Sequence, residues 1–301
     1  MKALVTGGSG FLGRYLVREL VKSGIEAVVF DKVINKDIFN SSENKGKIEF
    51  VEGDVLDFEA VYDAMDGCNL VFHTAAIADL DAARKTPVKT MTVNVIGTTN
   101  CLESAKTRKV DRFLFASTVY TAGNWGSFYR VSKQAGESLC KTYNDEFGMS
   151  YTILRYGSIY GRDANHWNFI YRVCKALLTT GEFTYISSKE SVREYIHIFD
   201  VARETVRIAQ DPEFSNKAVL ITGHQRMKVE EFFNMIKEIL GKDFKIHYTP
   251  ADQRRHYVIT PYSFRADIPV RVNLSTYVDI SEGILDCIRE IQKELKQDEK
   301  Y

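Results

Sequence analysis

Tyr129 and Lys133, within Tyr129-Arg130-Val131-Ser132-Lys133, are the residues whose types and spacing hold the most chemistry. Val131, Ala135, Leu139 and Tyr143 recur at helical spacing, which predicts a helix over 129–147. Four residues apart on a helix, the phenol and the ammonium share a face. A fixed positive charge beside a phenol favours the phenolate and lowers its pKa from about 10 towards neutrality. Tyr129 would then serve as a base, or in reverse an acid, for a hydroxyl or carbonyl. Taken alone, the same two residues read as a solvated helix face.

The elements that must position this pair begin at the N-terminus. Residues 2–6 form a short apolar run that reads as a buried parallel strand, and Thr6-Gly7-Gly8-Ser9-Gly10-Phe11-Leu12-Gly13 follows at once. A helical pattern over 12–21 leads to a second strand over 26–31 that ends on Asp31. Strand, glycine turn, helix and strand with a terminal acid is the context a dinucleotide site requires. The glycines let backbone N–H groups and the helix N-terminus approach a pyrophosphate. Asp31 can accept from a ribose 2′-hydroxyl and would repel a 2′-phosphate, favouring NAD over NADP, with Lys32 pulling the other way.

Further strands are expected over 47–51, 70–73, 111–117, 150–156 and 217–222, alternating with helices over 58–65, 88–107 and 129–147. Asp54 either reaches the adenine edge of a cofactor or caps the helix that starts at Phe58. His73 reads as a structural histidine at a strand end, before the small residues Thr74-Ala75-Ala76, against which a flat ring can lie. Ser117 and Thr118 close the strand before the Tyr129 helix, at the carboxyl end where open α/β sheets bind ligands. Beyond Tyr156 the alternation breaks. Helices are expected over 167–178, 229–240 and 284–295, with a mixed region over 244–278.

Composition narrows the partners. Forty Lys plus Arg balance forty Asp plus Glu, so nothing argues for nucleic acid or an anionic membrane. No stretch approaches the eighteen apolar residues of a bilayer span, and the N-terminus lacks signal-peptide character, so a cytoplasmic protein is expected. The five scattered cysteines read as reduced, buried thiols, with no metal site.

Together, the glycine turn, Asp31, Asp54-Val55, His73 to Ala76, Asn94, Ser117-Thr118-Val119-Tyr120, Tyr129-x-x-x-Lys133 and the segment from Arg193 to Asp200 resemble an extended short-chain dehydrogenase/reductase of the NAD-dependent epimerase/dehydratase family. The resemblance implies a doubly wound parallel Rossmann sheet of about seven strands with a smaller, mixed, mostly C-terminal domain. We place the first over 1–165 and 196–222 and the second over 166–195 and 223–301. It implies a nucleotide-diphosphate sugar (UDP-, GDP- or dTDP-linked) as substrate, NAD as cofactor, and a homodimer built on helices 88–107 and 129–147. Tyr129 resembles the family's acid/base, Lys133 the lysine that lowers its pKa and holds the nicotinamide ribose, and Thr118 the hydroxyl on the reacting sugar oxygen, with Ser117 as fallback. Cofactor contacts are expected from Gly7, Gly10, Phe11, Leu12, Gly13, Asp31, Asp54, Val55, Thr74, Ala75, Ala76, Asn94, Ser117, Tyr129, Lys133 and Tyr156. Arg193 matches a phosphate-gripping arginine, against the alternative of a surface ion pair with Glu190 or Glu194. Arg255 and His256 are expected as further substrate contacts.

Two departures from the family pattern bear on the reaction. The loop Thr121 to Phe128 is short, and Val119-Tyr120 stand where 4,6-dehydratases carry Asp-Glu, which argues against water elimination. Hydride chemistry at C4 of the sugar is the leading expectation, giving a 4-epimerase if the keto sugar turns over in the site. A 4-dehydrogenase or ketoreductase results if it leaves. A non-catalytic NAD-binding regulatory module is the alternative from a different class.

Overall fold

A computed structural model of the chain describes residues 1–39, 46–249 and 270–298. Strand β1 (Lys2–Thr6), helix α1 (Phe11–Lys22), strands β2 (Glu26–Asp31) and β3 (Ile48–Glu52), helix α2 (Phe58–Ala64) and strand β4 (Leu70–His73) form the first half of the main domain. Helices α3 (Leu80–Lys85), α4 (Pro87–Met91) and α5 (Gly97–Arg108), strand β5 (Arg112–Thr118), helix α6 (Ser127–Phe147), and strands β6 (Tyr151–Tyr156) and β7 (Ser158–Tyr160) follow. Helix α7 (Phe169–Thr179), strands β8 (Glu182–Ile186) and β9 (Val192–His197), helix α8 (Ile198–Gln210), strands β10 (Lys217–Ile221) and β11 (Arg226–Lys228), helix α9 (Val229–Leu240), strands β12 (Lys245–Thr249) and β13 (Val270–Arg271), and helix α10 (Ile280–Asp298) complete the described chain.

The central sheet runs β3-β2-β1-β4-β5-β6-β10-β13 with every pair parallel. The chain winds outward from β1 in one direction, then returns to β1's other side with β4. This topological switch puts a ligand crevice at the carboxyl end of β1. Period-two side chains explain the two packed layers. Ala3 and Val5 of β1 join a core under α1 and α8, whereas Leu4 joins one under α2, α5 and α6. The expected seven strands gain an eighth, two-residue edge strand, β13.

A third core joins α7, α9 and α10 through Val173, Phe232, Ile236, Ile284 and Ile291, with small sheets β11-β9-β7 and β12-β8 beside it. The expected division of the chain differs from this arrangement at Tyr160, which packs into the third core, and at residues 270–274. Residues 270–274 do not stay with the second unit, because β13 pairs with β10 and Val272 and Leu274 pack into the main core.

Two helices differ from their sequence pattern. The expected helix over 88–107 is divided by a π turn at Thr92–Ile96, which holds Asn94. The buried stripe of α6 is Ser132, Lys133, Gly136, Glu137, Cys140 and Tyr143, while Val131 is 40% exposed. The apolar spacing of Val131, Ala135 and Leu139 therefore marked a flank. Gly136 shows why: a Cβ there would sit 2.3 Å from the ring of Phe115, so the helix lies close on β5 along this polar stripe.

Candidate active site

The glycine turn between β1 and α1 is shaped for close backbone approach. Gly7 has φ +69°, and a Cβ on it would lie 2.8 Å from the Ala75 nitrogen. A Cβ on Gly13 would lie 2.1 Å from the Gly7 carbonyl oxygen. Helix α1 starts with no side-chain cap and no acid in its first turn, so the amides at Phe11 and Leu12 form an uncapped helix N-terminus suited to a pyrophosphate. Asp31 is fixed at the end of β2, one carboxylate oxygen accepting from the Ser9 amide at 3.0 Å and the other from the Lys32 amide at 2.8 Å. The Lys32 ammonium lies 2.8 Å from Asp54, so its charge is already balanced and the preference for NAD set by Asp31 gains support. Asp54 also accepts from the Leu56 amide, and it is Asp57 that caps α2, through the Ala60 amide. Asp54 is therefore not the cap of that helix. Val55 is buried, and Thr74 donates to the Thr6 carbonyl at 2.7 Å, which lays Thr74, Ala75 and Ala76 along the glycine turn. This cradle fits a dinucleotide.

Several expected contacts have other work. Asn94 is buried; its amide donates to the Ile77 carbonyl and to Ser132, and its carbonyl oxygen accepts from the Ile77 amide at 2.7 Å. It ties the loop after β4 to α6. Ser117 donates to Glu137 at 2.6 Å, so its hydroxyl faces α6 and is not a spare for Thr118. Tyr156 is a core residue, its hydroxyl paired with Thr205 of α8 at 2.9 Å. His73 sits between Thr6 and Thr98 hydroxyls, and burial holds its pKa down to about 3, so it is a neutral structural histidine. Arg255 and His256 lie outside the described residues.

Tyr129 stands on the first turn of α6 and is hydrogen-bonded to Thr118 at the end of β5. Lys133 is buried, donates to the Ala116 carbonyl at 2.7 Å, and lies 5.9 Å from the centre of the Tyr129 ring. Geometry brings the expected three together, but the electrostatics reverse one expectation. Burial pushes the Tyr129 phenol up to about 12, with the Thr118 hydrogen bond working against it. Burial likewise holds the Lys133 ammonium down to about 8. Desolvation outweighs the nearby charge. At neutral pH the pair is a protonated phenol beside a charged amine.

Tyr129 opens into a cavity of about 1110 Å³ between the main sheet and the smaller unit, lined also by Tyr120, Trp125, Phe169, Tyr185 and Arg193. Arg193 is 8% exposed and donates to the Val192 carbonyl and the Tyr185 hydroxyl. Glu190 pairs with Lys228 at 2.7 Å and Glu194 with Arg226 at 2.9 Å. A buried guanidinium on a cavity wall is suited to a phosphate. Among the described residues no helix is long and apolar enough to cross a membrane, and no group of His, Cys, Asp or Glu could hold a metal ion. The residue that sequence reasoning missed is Glu137. Its signal was present: a charge four residues after Lys133 on the same helix face.

Comparison with known proteins agrees with this fold. The family model "NAD dependent epimerase/dehydratase family" matches residues 3–222. The chain belongs to the NAD-dependent epimerase/dehydratase family. It is 26% identical over 271 residues to the uncharacterized UDP-glucose epimerase YtcB of Bacillus subtilis, covering 83% of this chain and 85% of the relative. It is 26% identical over 293 residues to the UDP-N-acetyl-alpha-D-glucosaminuronate decarboxylase of Bacillus cytotoxicus, covering 90% and 88%. Its fold matches the crystal structure of UDP-glucuronic acid 4-epimerase from Bacillus cereus in complex with UDP-glucuronic acid and NAD, with TM-score 0.86, 23% identity, and coverage of 98% of this chain and 100% of that one.

Proposed function

We propose that the chain is a nucleotide-sugar 4-epimerase whose acid/base is Tyr129 and whose substrate is UDP-linked. The carrying observation is that Tyr129, hydrogen-bonded to Thr118, and the buried Arg193 line the same large cavity. UDP is favoured because the two relatives described above are named for UDP-sugars. NAD, when bound, supplies the hydride acceptor. Arg193 holds the diphosphate, Thr118 fixes the C4 oxygen, and Tyr129, in the phenolate form that rising pH supplies, takes that oxygen's proton and later returns it. Lys133 keeps positive charge beside the phenol and would hold a ribose hydroxyl. The keto sugar then turns over in the cavity, so that reduction occurs on its other face.

Release of the keto sugar would instead make the same groups a 4-dehydrogenase or ketoreductase. A 4,6-dehydratase is disfavoured because Val119, buried, and Tyr120, on the cavity wall, supply no carboxylate beside Thr118. Dimerisation through α4 to α6 is supported by exposed apolar residues there: Val88, Ile96, Val131 and Phe147.

The test is incubation with NAD and UDP-glucose, UDP-glucuronate or UDP-N-acetylglucosamine, with GDP- and dTDP-sugars as controls, followed by NMR of the products. Inversion at C4 of a UDP-sugar is expected; no hydride chemistry on any nucleotide sugar would remove the proposal. Arg193→Gln is expected to raise KM for the sugar about 30-fold or more, with a smaller effect on kcat, since a charge-assisted contact is worth roughly 2–5 kcal/mol. Initial-rate kinetics check this, and an unchanged KM would place the diphosphate elsewhere.

A further inference from the structure

Glu137 takes no part in the chemistry described so far, yet it is the most heavily bonded carboxylate near it. It is 5% exposed, one turn beyond Lys133 on α6. Its carboxylate accepts from the Ser117 hydroxyl at 2.6 Å, the Thr121 hydroxyl at 3.1 Å, and Arg155 through Nε at 2.9 Å and Nη2 at 2.6 Å. These donors come from the end of β5, the turn that follows it, and β6. Thr118 lies between the first two. The Thr121 hydroxyl shares its proton with the Thr118 carbonyl at 2.9 Å, and Gln134 of α6 donates to the Thr121 carbonyl at 2.9 Å.

We infer that Glu137 is a positioning residue: with Arg155 it clamps the strand end bearing Thr118 to the helix bearing Tyr129, and it supplies the negative charge beside Lys133. The inference rests on the acid/base reading of Tyr129. A buried ion pair is a poor device for stability alone, since an apolar pair of the same volume often stabilises as well or better. What the pair supplies here is register. Both residues flanking the Thr118–Val119–Tyr120 stretch, Ser117 and Thr121, end on one carboxylate. Lys133 meets Glu137 and the Cys140 thiol on its own helix, Tyr129 one turn back, His73 on β4, and Arg155 on β6 behind Glu137. Of these Glu137 is the one carboxylate, and it opposes the desolvation of the ammonium.

The test is the double variant Glu137→Gln/Arg155→Met, which removes both partners of the ion pair. Its thermal unfolding, kcat, KM and pH–rate profile are to be measured beside the wild type, and its crystal structure solved with NAD. The expected result is a folded protein with KM for the sugar nearly unchanged, kcat down ~10-fold or more, and the alkaline limb moved to lower pH, because Lys133 gives up its proton sooner. In the crystal, the Thr118 hydroxyl should lie beyond hydrogen-bond distance of Tyr129. Wild-type kcat and pH profile in the folded variant, or a Thr118–Tyr129 contact left unmoved, would overturn the inference. A wild type that turns over no nucleotide sugar counts against the proposed function only; the crystal structure still decides the clamp. If the double variant does not fold, Glu137→Gln alone keeps an acceptor for Ser117 and Thr121, and its pH profile decides in the same way.

Discussion

Tyr129→Phe is expected to lower kcat by about 10²–10⁴-fold, the range a single general acid/base supplies. The substitution removes one oxygen and keeps the ring that lines the cavity, so little packing is lost. Thr118 loses a hydrogen-bond partner, at a cost of about 1 kcal/mol of stability. KM for the sugar and affinity for NAD should stay close to wild type, since Arg193 and the glycine turn are untouched. The wild-type pH–rate profile has a direction as well. The phenol, pushed up to about 12, is protonated at neutral pH, so base-limited turnover rises as pH rises. The rise ends as Lys133, held down to about 8, loses its charge. Stopped-flow and steady-state kinetics of the two proteins would test this. Retention of more than a tenth of wild-type kcat in Tyr129→Phe would remove Tyr129 from the chemistry.

Gly13→Ala carries the second large effect, on cofactor binding. The new methyl would stand 2.1 Å from the Gly7 carbonyl oxygen and 2.7 Å from the Gly8 Cα, both backbone atoms that cannot rotate away. Either the glycine turn opens or α1 lifts from β1, and in both cases the amides of the first turn lose their aim at a pyrophosphate. A loss of about 100-fold in NAD affinity is expected, close to 2.7 kcal/mol. The thermal midpoint should fall as well, since overpacking costs roughly 1–3 kcal/mol. Gly10→Ala is the control. There the nearest atom is the same oxygen at 3.1 Å, so its loss of affinity should be clearly smaller. Calorimetric titration with NAD of both variants checks the order, and equal affinities would contradict the tight-turn account.

Much of this site was legible in residue order alone, and the reasons are local. A parallel strand, three glycines and a terminal acid can be read from spacing, because each responds to backbone geometry within a few residues. Tyr129 and Lys133 were readable for the same reason. What spacing could not show was which side of α6 faces the sheet. The apolar residues Val131 and Leu139 pointed to one stripe, while packing chose the neighbouring polar one, because Gly136 allows contact with Phe115 and Glu137 finds Arg155 eighteen residues later. Ser117 and Thr118 differ in the same way. Adjacent on a strand, they face opposite sides, and only the tertiary fold decides which hydroxyl meets Tyr129. The sign of the Tyr129 pKa shift was likewise out of reach, since it depends on how completely the phenol is desolvated. Asp54 lost the capping position to Asp57 three residues on, a difference within the usual uncertainty of helix ends.

The central claim is that hydride leaves and returns at C4 of a UDP-sugar within one closed site. The direct measurement uses UDP-sugar deuterated at C4, with NMR and mass spectrometry of the product formed in ordinary water. The account predicts a C4 epimer that keeps its deuterium at C4 and carries none of the solvent's hydrogen there. A product with solvent hydrogen at C4, or inverted at another carbon, would contradict it.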